Sequence, residues 1–110
     1  MDKKKVYYYI SRIHKACKDP DLKVVMKKMA GLRGLTIYKS VTLNPHEPML
    51  PTFIHEMLHV IYPEWTETKV YKMEADLMRN ISKQQMINLM GSMVQLIELN
   101  KDLDEQSQQY

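Results

Sequence analysis

The sequence predicts an α+β domain that is mainly helical and carries one short β-hairpin or small sheet. Apolar residues recur at helical spacing near both ends of the chain, whereas residues 35–45 alternate and are rich in β-branched side chains. The chain has 110 residues, of which 45% are apolar, and this is enough for one small domain with its own core. We therefore expect residues 1–110 to form a single domain.

The first third of the chain is predicted to form two helices. The first is expected over residues 5–18, with a buried stripe made of Val6, Ile10, Ile13 and Cys17. The second is expected over residues 19–31, where Asp19 can cap the helix and Gly31 can end it. Its apolar stripe consists of Leu22, Val25, Met26 and Met29.

The middle of the chain changes from a strand pattern to a helical pattern. The alternating segment predicts one long strand or a short hairpin, and Pro45 and Pro48 close it. The next helix is expected over residues 52–62, with Thr52 as its N-cap and Pro63 as the residue that stops it.

Two further helices are predicted in the last part of the chain. Thr66 is a second N-cap and opens a helix over residues 67–80, and Ser82 opens another over residues 83–100. The buried side of the latter helix is expected to consist of Met86, Leu89, Met90, Met93, Leu96 and Ile97. Residues 102–110 are polar and are interpreted as a mobile tail.

The composition excludes several classes of protein. No apolar run approaches the roughly 20 residues that span a bilayer, and the N-terminus lacks the aliphatic core of a signal peptide. Cys17 is the only cysteine, so neither an internal disulfide nor a cysteine-rich zinc site can form. We expect a soluble, cytoplasmic protein in which carboxylates complete any metal site.

The charge is distributed unevenly along the chain. Residues 1–33 hold ten Lys/Arg and three acidic residues, whereas residues 34–110 hold six and ten, so their net charges are +7 and −4. A basic segment can indicate nucleic-acid binding. The basic segment here is explained more simply by lysines on the solvent face of amphipathic helices. We therefore expect no nucleic-acid partner.

The stretch TFIHEMLHVIYPEW, residues 52–65, contains the H-E-x-x-H arrangement of a zinc site. His55 and His59 stand four residues apart, so both imidazoles can point at one ion from the same helix face. Glu56 follows the first histidine and can serve as the general base of a peptidase. The alternative is that two packed or surface histidines share a helix face by accident.

A third protein ligand is needed, and it is expected to be a glutamate from the following helix. His14 and His46 lack the usual downstream spacing of a third histidine. The glutamates within reach after the turn at Pro63 are Glu64, Glu67 and Glu74. Glu64 lies in the turn and is expected to face water. We favour Glu67, which opens the returning helix near the level of His59, and keep Glu74 as the alternative.

The segments PTFIHEMLH and YPEWTETKV resemble the gluzincin metallopeptidases, in which two histidines and a downstream glutamate bind zinc. The small size of the chain is similar to that of the minigluzincins, which are single-domain proteins. The resemblance covers about residues 32–80 and implies a zincin-type domain. It also implies that His55, His59 and Glu67 bind zinc and that Glu56 is the general base.

The resemblance has one departure and one further implication. Many gluzincins carry an acidic residue four positions after the ligand glutamate, where this chain has Tyr71 after Glu67, or Met78 after Glu74. Some members keep a C-terminal segment over the cleft, and residues 82–110 are the candidate for such a segment here, with a frayed polar terminus as the alternative. The carboxylates that could reach the open position on zinc are Asp102, Asp104, Glu105 and the C-terminus at Tyr110.

The function expected from these observations is zinc-dependent hydrolysis of peptide bonds in a peptide or protein substrate. The strand around VTLN could pair with extended substrate. The residue that stabilises the oxyanion is left open among Tyr38, Tyr62, Tyr71 and His14. A non-catalytic, zinc-stabilised interaction module with a Met-rich last helix is the alternative function, and the chain could be a monomer or a helix-swapped dimer.

Overall fold

The computed structural model describes the backbone of residues 1–108 and the side chains of residues 1–100. In this part of the chain, four helices accompany a three-stranded sheet. The helices are α1 (Lys3–Ala16), α2 (Met49–Ile61), α3 (Glu67–Asn80) and α4 (Lys83–Gln108). The strands are β1 (Lys23–Met26), β2 (Gly34–Ile37) and β3 (Ser40–Leu43). The predicted α+β, mainly helical fold class is confirmed.

The helix predicted over residues 19–31 is wrong, because residues 23–26 form strand β1 and pair in parallel with β3. Leu22 and Val24 are buried, whereas Lys23 between them faces solvent, which is the period of a strand. The apparent helical stripe included Met26, which is 49% exposed. Pairing with a distant strand therefore decides the conformation of this short segment.

The alternating segment, residues 35–45, was predicted to be one long strand or a short hairpin, and it forms the hairpin. Strand β2 pairs antiparallel with β3, and the strand order β1-β3-β2 places β3 in the centre of the sheet. Tyr38 adopts a φ of 57° in the two-residue turn, where hairpins require positive φ. The prediction that the VTLN strand accepts substrate is wrong, since β3 is paired on both sides and β2 is the free edge.

Helix α2 begins at Met49, before the predicted cap, so Thr52 lies inside the helix and is fully buried. Helix α3 has the predicted bounds, and the side chain of Thr66 caps it by accepting a hydrogen bond from the backbone N–H of Lys69 at 3.2 Å. Residues 62–65, which include Pro63, separate α2 from this cap, and this short connection folds α3 back against α2.

Helix α4 begins after Ser82, whose side chain accepts from the backbone N–H of Gln85 at 3.1 Å, and it continues to Gln108. The prediction that the helix ends at residue 100 is therefore wrong. The side chains of the predicted inhibitory residues lie outside the described ones: Asp102, Asp104, Glu105 and Tyr110.

All four helices and the sheet contribute to one hydrophobic core. Helix α4 packs mainly against β1, where the side-chain amide of Asn100 donates to the carbonyl of Val24 at 3.0 Å. Met93 on α4 is buried, whereas Met90, which was predicted on the buried side of this helix, is 43% exposed. The other edge of the sheet, β2, lies against α2. None of the described helices is both long and apolar enough to cross a membrane.

Candidate metal centre

A cleft of about 560 Å³ lies between the free edge of the sheet and helices α2 and α3. Strand β2 and the segment before it form one wall, and α2 with the start of α3 forms the other. The cleft is lined by three of the predicted site residues on α2, His55, Glu56 and His59, and by Glu67 on α3. The structure therefore brings the whole predicted site to one surface.

The side chains of His55, His59 and Glu67 converge in this cleft, with one ligand atom from each lying within 4.8 Å of the others. The Nε2 atom of His55 lies 3.4 Å from Oε2 of Glu67, and Nε2 of His59 contacts Oε1 of the same carboxylate. The two histidines share a face because they are one helical turn apart. The turn at Pro63 and the cap at Thr66 place Glu67 opposite them.

Glu74 lies on the other side of the His55 ring and contacts a different nitrogen. Its Oε1 atom is 2.8 Å from Nδ1 of His55, so this carboxylate is placed to accept the Nδ1–H and leave Nε2 directed at Glu67. Of the two glutamates considered as third ligand, Glu67 therefore lies with the histidine pair, and Glu74 orients one of its members. His14 lies elsewhere, with Nδ1 3.2 Å from the hydroxyl of Ser92.

The pKa values of His55 and Glu74, which are both buried, are shifted in opposite directions. Burial alone would lower the pKa of His55, but the hydrogen bond to Glu74 and the nearby carboxylates outweigh it and raise that pKa. Burial would likewise raise the pKa of Glu74, yet hydrogen bonds from His55 and Arg33 hold it below its ordinary value. Glu74 is therefore held as a carboxylate beside His55.

Glu56 is buried at the wall of the cleft, where it is 5% exposed. The hydroxyl of Thr36 on β2 donates to its Oε1 at 2.8 Å, and no described Lys or Arg pairs with it. Burial raises the pKa of Glu56, although Thr36 and the two histidines partly oppose this shift. A buried carboxyl with a raised pKa next to two imidazoles is suited to proton transfer.

Gly34 makes room for Glu56 at the start of β2. A Cβ atom at this position would lie 2.9 Å from Cγ and from Oε2 of Glu56, and 2.9 Å from Cγ2 of Thr52. Thr52 is β-branched and fixed in helix α2, so it has little freedom to move aside. The close approach of β2 to α2, and with it the position of Glu56, therefore requires glycine.

Gly34→Ala is expected to lower the free energy of unfolding by about 1–3 kcal/mol, because the added methyl group overpacks this contact. Gly91→Ala is the matched control: its Cβ would meet nothing within 4 Å on helix α4, so it should stabilise the protein by about 0.5–1 kcal/mol. Urea denaturation measures both variants. Equal stability of Gly34→Ala and the wild type would show that β2 and Glu56 are not in tight contact.

Aromatic side chains hold the connection between α2 and α3 in place. The rings of Tyr62 and Trp65 stack with centroids 4.0 Å apart, and the guanidinium of Arg12 on α1 lies 5.3 Å from the Tyr62 ring centre. This packing fixes the turn that precedes Glu67. The Tyr62 ring is engaged in this packing and does not line the cleft. Of the four residues proposed to stabilise the oxyanion, only Tyr38 and Tyr71 line it.

The sequence interpretation missed the contributions of Arg33, Gly34 and Thr36, and it did not assign an orienting role to Glu74. One signal was present, because Glu74 lies two helical turns after Glu67 and therefore shares its face. Glu74 thus takes the position beside the histidine that the family pattern gives to an acidic residue at position 71. Tyr71 instead packs on the His55 ring, with centroids 4.4 Å apart. The other three residues carry no local signal of a site.

The donor set in the cleft is consistent with a bound metal ion. Two imidazoles and one carboxylate converge, and His55 is already oriented through its other nitrogen. Neutral imidazoles with a carboxylate are ligands for zinc, whereas calcium and magnesium prefer oxygen ligands alone. The three side chains could therefore hold one metal ion and leave a position open to the cleft.

Comparison of the chain with protein-family models and with curated proteins finds no match. The functional assignment therefore depends on the residues of the cleft and their geometry.

Proposed function

We propose that this chain is a zinc-dependent metallopeptidase of the gluzincin type, similar to the minigluzincins, and that it hydrolyses peptide bonds. One observation carries the proposal: His55, His59 and Glu67 converge in a cleft whose wall contains the buried Glu56. A site that only stabilised the fold would need neither a buried carboxyl beside the ligands nor an open cleft.

The roles of the residues follow from their positions. Zinc held by His55, His59 and Glu67 would act as a Lewis acid on the peptide carbonyl and would acidify the attacking water. Glu56 would take a proton from that water and pass it to the nitrogen of the leaving amine. The hydroxyl of Thr36 supports this by fixing one carboxylate oxygen of Glu56, which leaves the other oxygen for the proton.

The free edge of strand β2 is the proposed binding site for extended substrate. Its outward backbone N–H and C=O groups can add a peptide as a further strand, which would run past Glu56. Leu35 and Tyr38 on this wall are 41% and 82% exposed, so the same surface can contact apolar side chains of a peptide. An unfolded protein offers such extended segments.

Latency remains part of the proposal, with the chain's own C-terminal segment as the inhibitory partner. The described side chains of α4 pack against β1 and α1, and none of them lines the cleft. Inhibition would therefore have to come from residues 101–110, either in the same chain or from a helix-swapped neighbour. The cytoplasmic location and the absence of a nucleic-acid partner also stay predictions.

The proposal is tested by metal analysis and a cleavage assay on the purified full chain. Elemental analysis should find about one zinc per chain, and the zinc-loaded protein should cut an unfolded casein-type substrate after removal of residues 101–110, whereas the intact chain should cut it more slowly. Removal of zinc by a chelator should abolish cleavage, and addition of zinc should restore it. Full occupancy without cleavage, even after removal of residues 101–110, would favour the zinc-stabilised interaction module.

A further inference from the structure

The segment between β1 and β2 is tied to β3 by one buried residue. The side-chain amide of Asn44 donates to the carbonyls of Met29 and Leu32, both at 2.8 Å. The backbone N–H of Asn44 donates to the carbonyl of Arg33, also at 2.8 Å. Asn44 is 5% exposed, so water competes little for these hydrogen bonds. Together they fix the position from which the Arg33 side chain leaves the backbone.

The Arg33 guanidinium reaches Glu74 and binds both of its oxygens. Its two terminal nitrogens lie 3.2 Å from Oε2 and 2.7 Å from Oε1 of Glu74. The guanidinium also lies 5.4 Å from the ring centre of Tyr71, which packs on His55. A two-point contact of this kind fixes the plane of a carboxylate as well as its position.

Of the two Glu74 oxygens that Arg33 binds, Oε1 is also the one that contacts Nδ1 of His55. Without Arg33, Glu74 would keep only the hydrogen bond to His55 and could rotate about its own side chain. It could then also turn towards the metal centre, since it is charged and lies beside a ligand. Arg33 therefore removes the freedom that would let Glu74 leave its orienting position.

We propose that Arg33 is a positioning residue of the metal centre, which acts through Glu74 to hold the His55 ring with Nε2 towards the metal. This inference rests on the proposed zinc site and adds a residue outside the H-E-x-x-H segment to it. Arg33 is suited to this role because its guanidinium stays charged and presents paired N–H donors, which a lysine cannot do.

Zinc dissociation constants, measured by competition with a chromophoric chelator on the full chain, test the proposal. Arg33→Ala is expected to weaken zinc binding by about 10–100-fold, as loss of an orienting partner does. Arg33→Lys should stay weakened, because an ammonium group cannot hold both oxygens of Glu74. Lys39→Ala is the matched control, since Lys39 lines the same cleft but pairs with Asp19 at 2.6 Å and should leave zinc affinity unchanged.

A double-mutant cycle separates positioning from a general loss of structure. In the Glu74→Ala background, replacing Arg33 should change the zinc dissociation constant by less than about twofold, because no carboxylate remains to be held. Histidine-selective NMR provides a second measurement: the Nδ1–H tautomer of His55 should dominate in the wild type and lose population in Arg33→Lys.

The possible results distinguish the proposed zinc site itself from the role of Arg33 in it. Wild-type protein that binds no zinc overturns both the proposed function and this inference. If the wild type binds zinc, and if both Arg33→Ala and Arg33→Lys bind zinc as tightly as the wild type, only the role of Arg33 is refuted. The role of Arg33 would also be refuted if its replacement lowered zinc affinity by the same factor in the wild type and in the Glu74→Ala variant. If Arg33→Ala does not fold, Arg33→Lys and the NMR measurement decide.

Discussion

Glu56→Gln is expected to lower kcat/KM for peptide hydrolysis by about 10²–10⁴-fold, the usual contribution of a general base. Glutamine has the same shape as glutamate and can still accept the hydrogen bond that Thr36 donates. It cannot take a proton from water. The loss should therefore appear in kcat, whereas KM and the zinc content should stay close to their wild-type values.

The stability of the same variant provides its control. Burial opposes the charged form of Glu56, so the neutral amide of Glu56→Gln should leave the protein no less stable than the wild type. A variant that is folded, zinc-loaded and inactive would separate the catalytic role from the structural one. Cleavage of a casein-type substrate at the wild-type rate would refute the role of Glu56 as general base.

His59→Ala is expected to weaken zinc binding by more than the roughly 100-fold that loss of an orienting partner can cost, because it removes one of the three proposed ligands. Zinc binding should also stabilise the wild-type fold, by about 2.7 kcal/mol at a zinc concentration 100 times the dissociation constant. For a domain of this size that corresponds to a rise of ~10 °C in Tm. His59→Ala should show almost none of this rise.

Two further variants make the test of the ligand set specific. Glu67→Ala should behave like His59→Ala, because its carboxylate contacts both imidazoles. His46→Ala should behave like the wild type, because His46 lies outside the cleft. Thermal melts with and without zinc compare all of them. If Glu67→Ala keeps the full rise in Tm, Glu67 is not a ligand.

The histidine pair and its partner glutamate could be predicted because the signals are local. His55 and His59 lie in one helix, and Pro63 and Thr66 determine where that helix stops and the next begins. The predicted bounds of α3 agree with the structure because a capping threonine marks its first turn. Short-range spacing favoured Glu67 as the glutamate near the pair, but it left Glu74 open as the alternative.

The parts that the sequence did not predict depend on contacts between distant residues. Residues 23–26 have a pattern compatible with either a helix or a strand, and pairing with β3 decides between them. Arg33 and Glu74 are 41 positions apart, so no periodicity connects them. The need for glycine at position 34 likewise arises only when β2 lies against Glu56.

The most direct test of the metal centre is a crystal structure of the zinc-loaded protein with anomalous data at the zinc edge. The proposed site predicts one strong peak about 2.0–2.2 Å from Nε2 of His55, Nε2 of His59 and a carboxylate oxygen of Glu67. Glu74 should remain bound to Nδ1 of His55 and to Arg33. A zinc ion bound by Glu74 in place of Glu67, or no peak in this cleft, would contradict it.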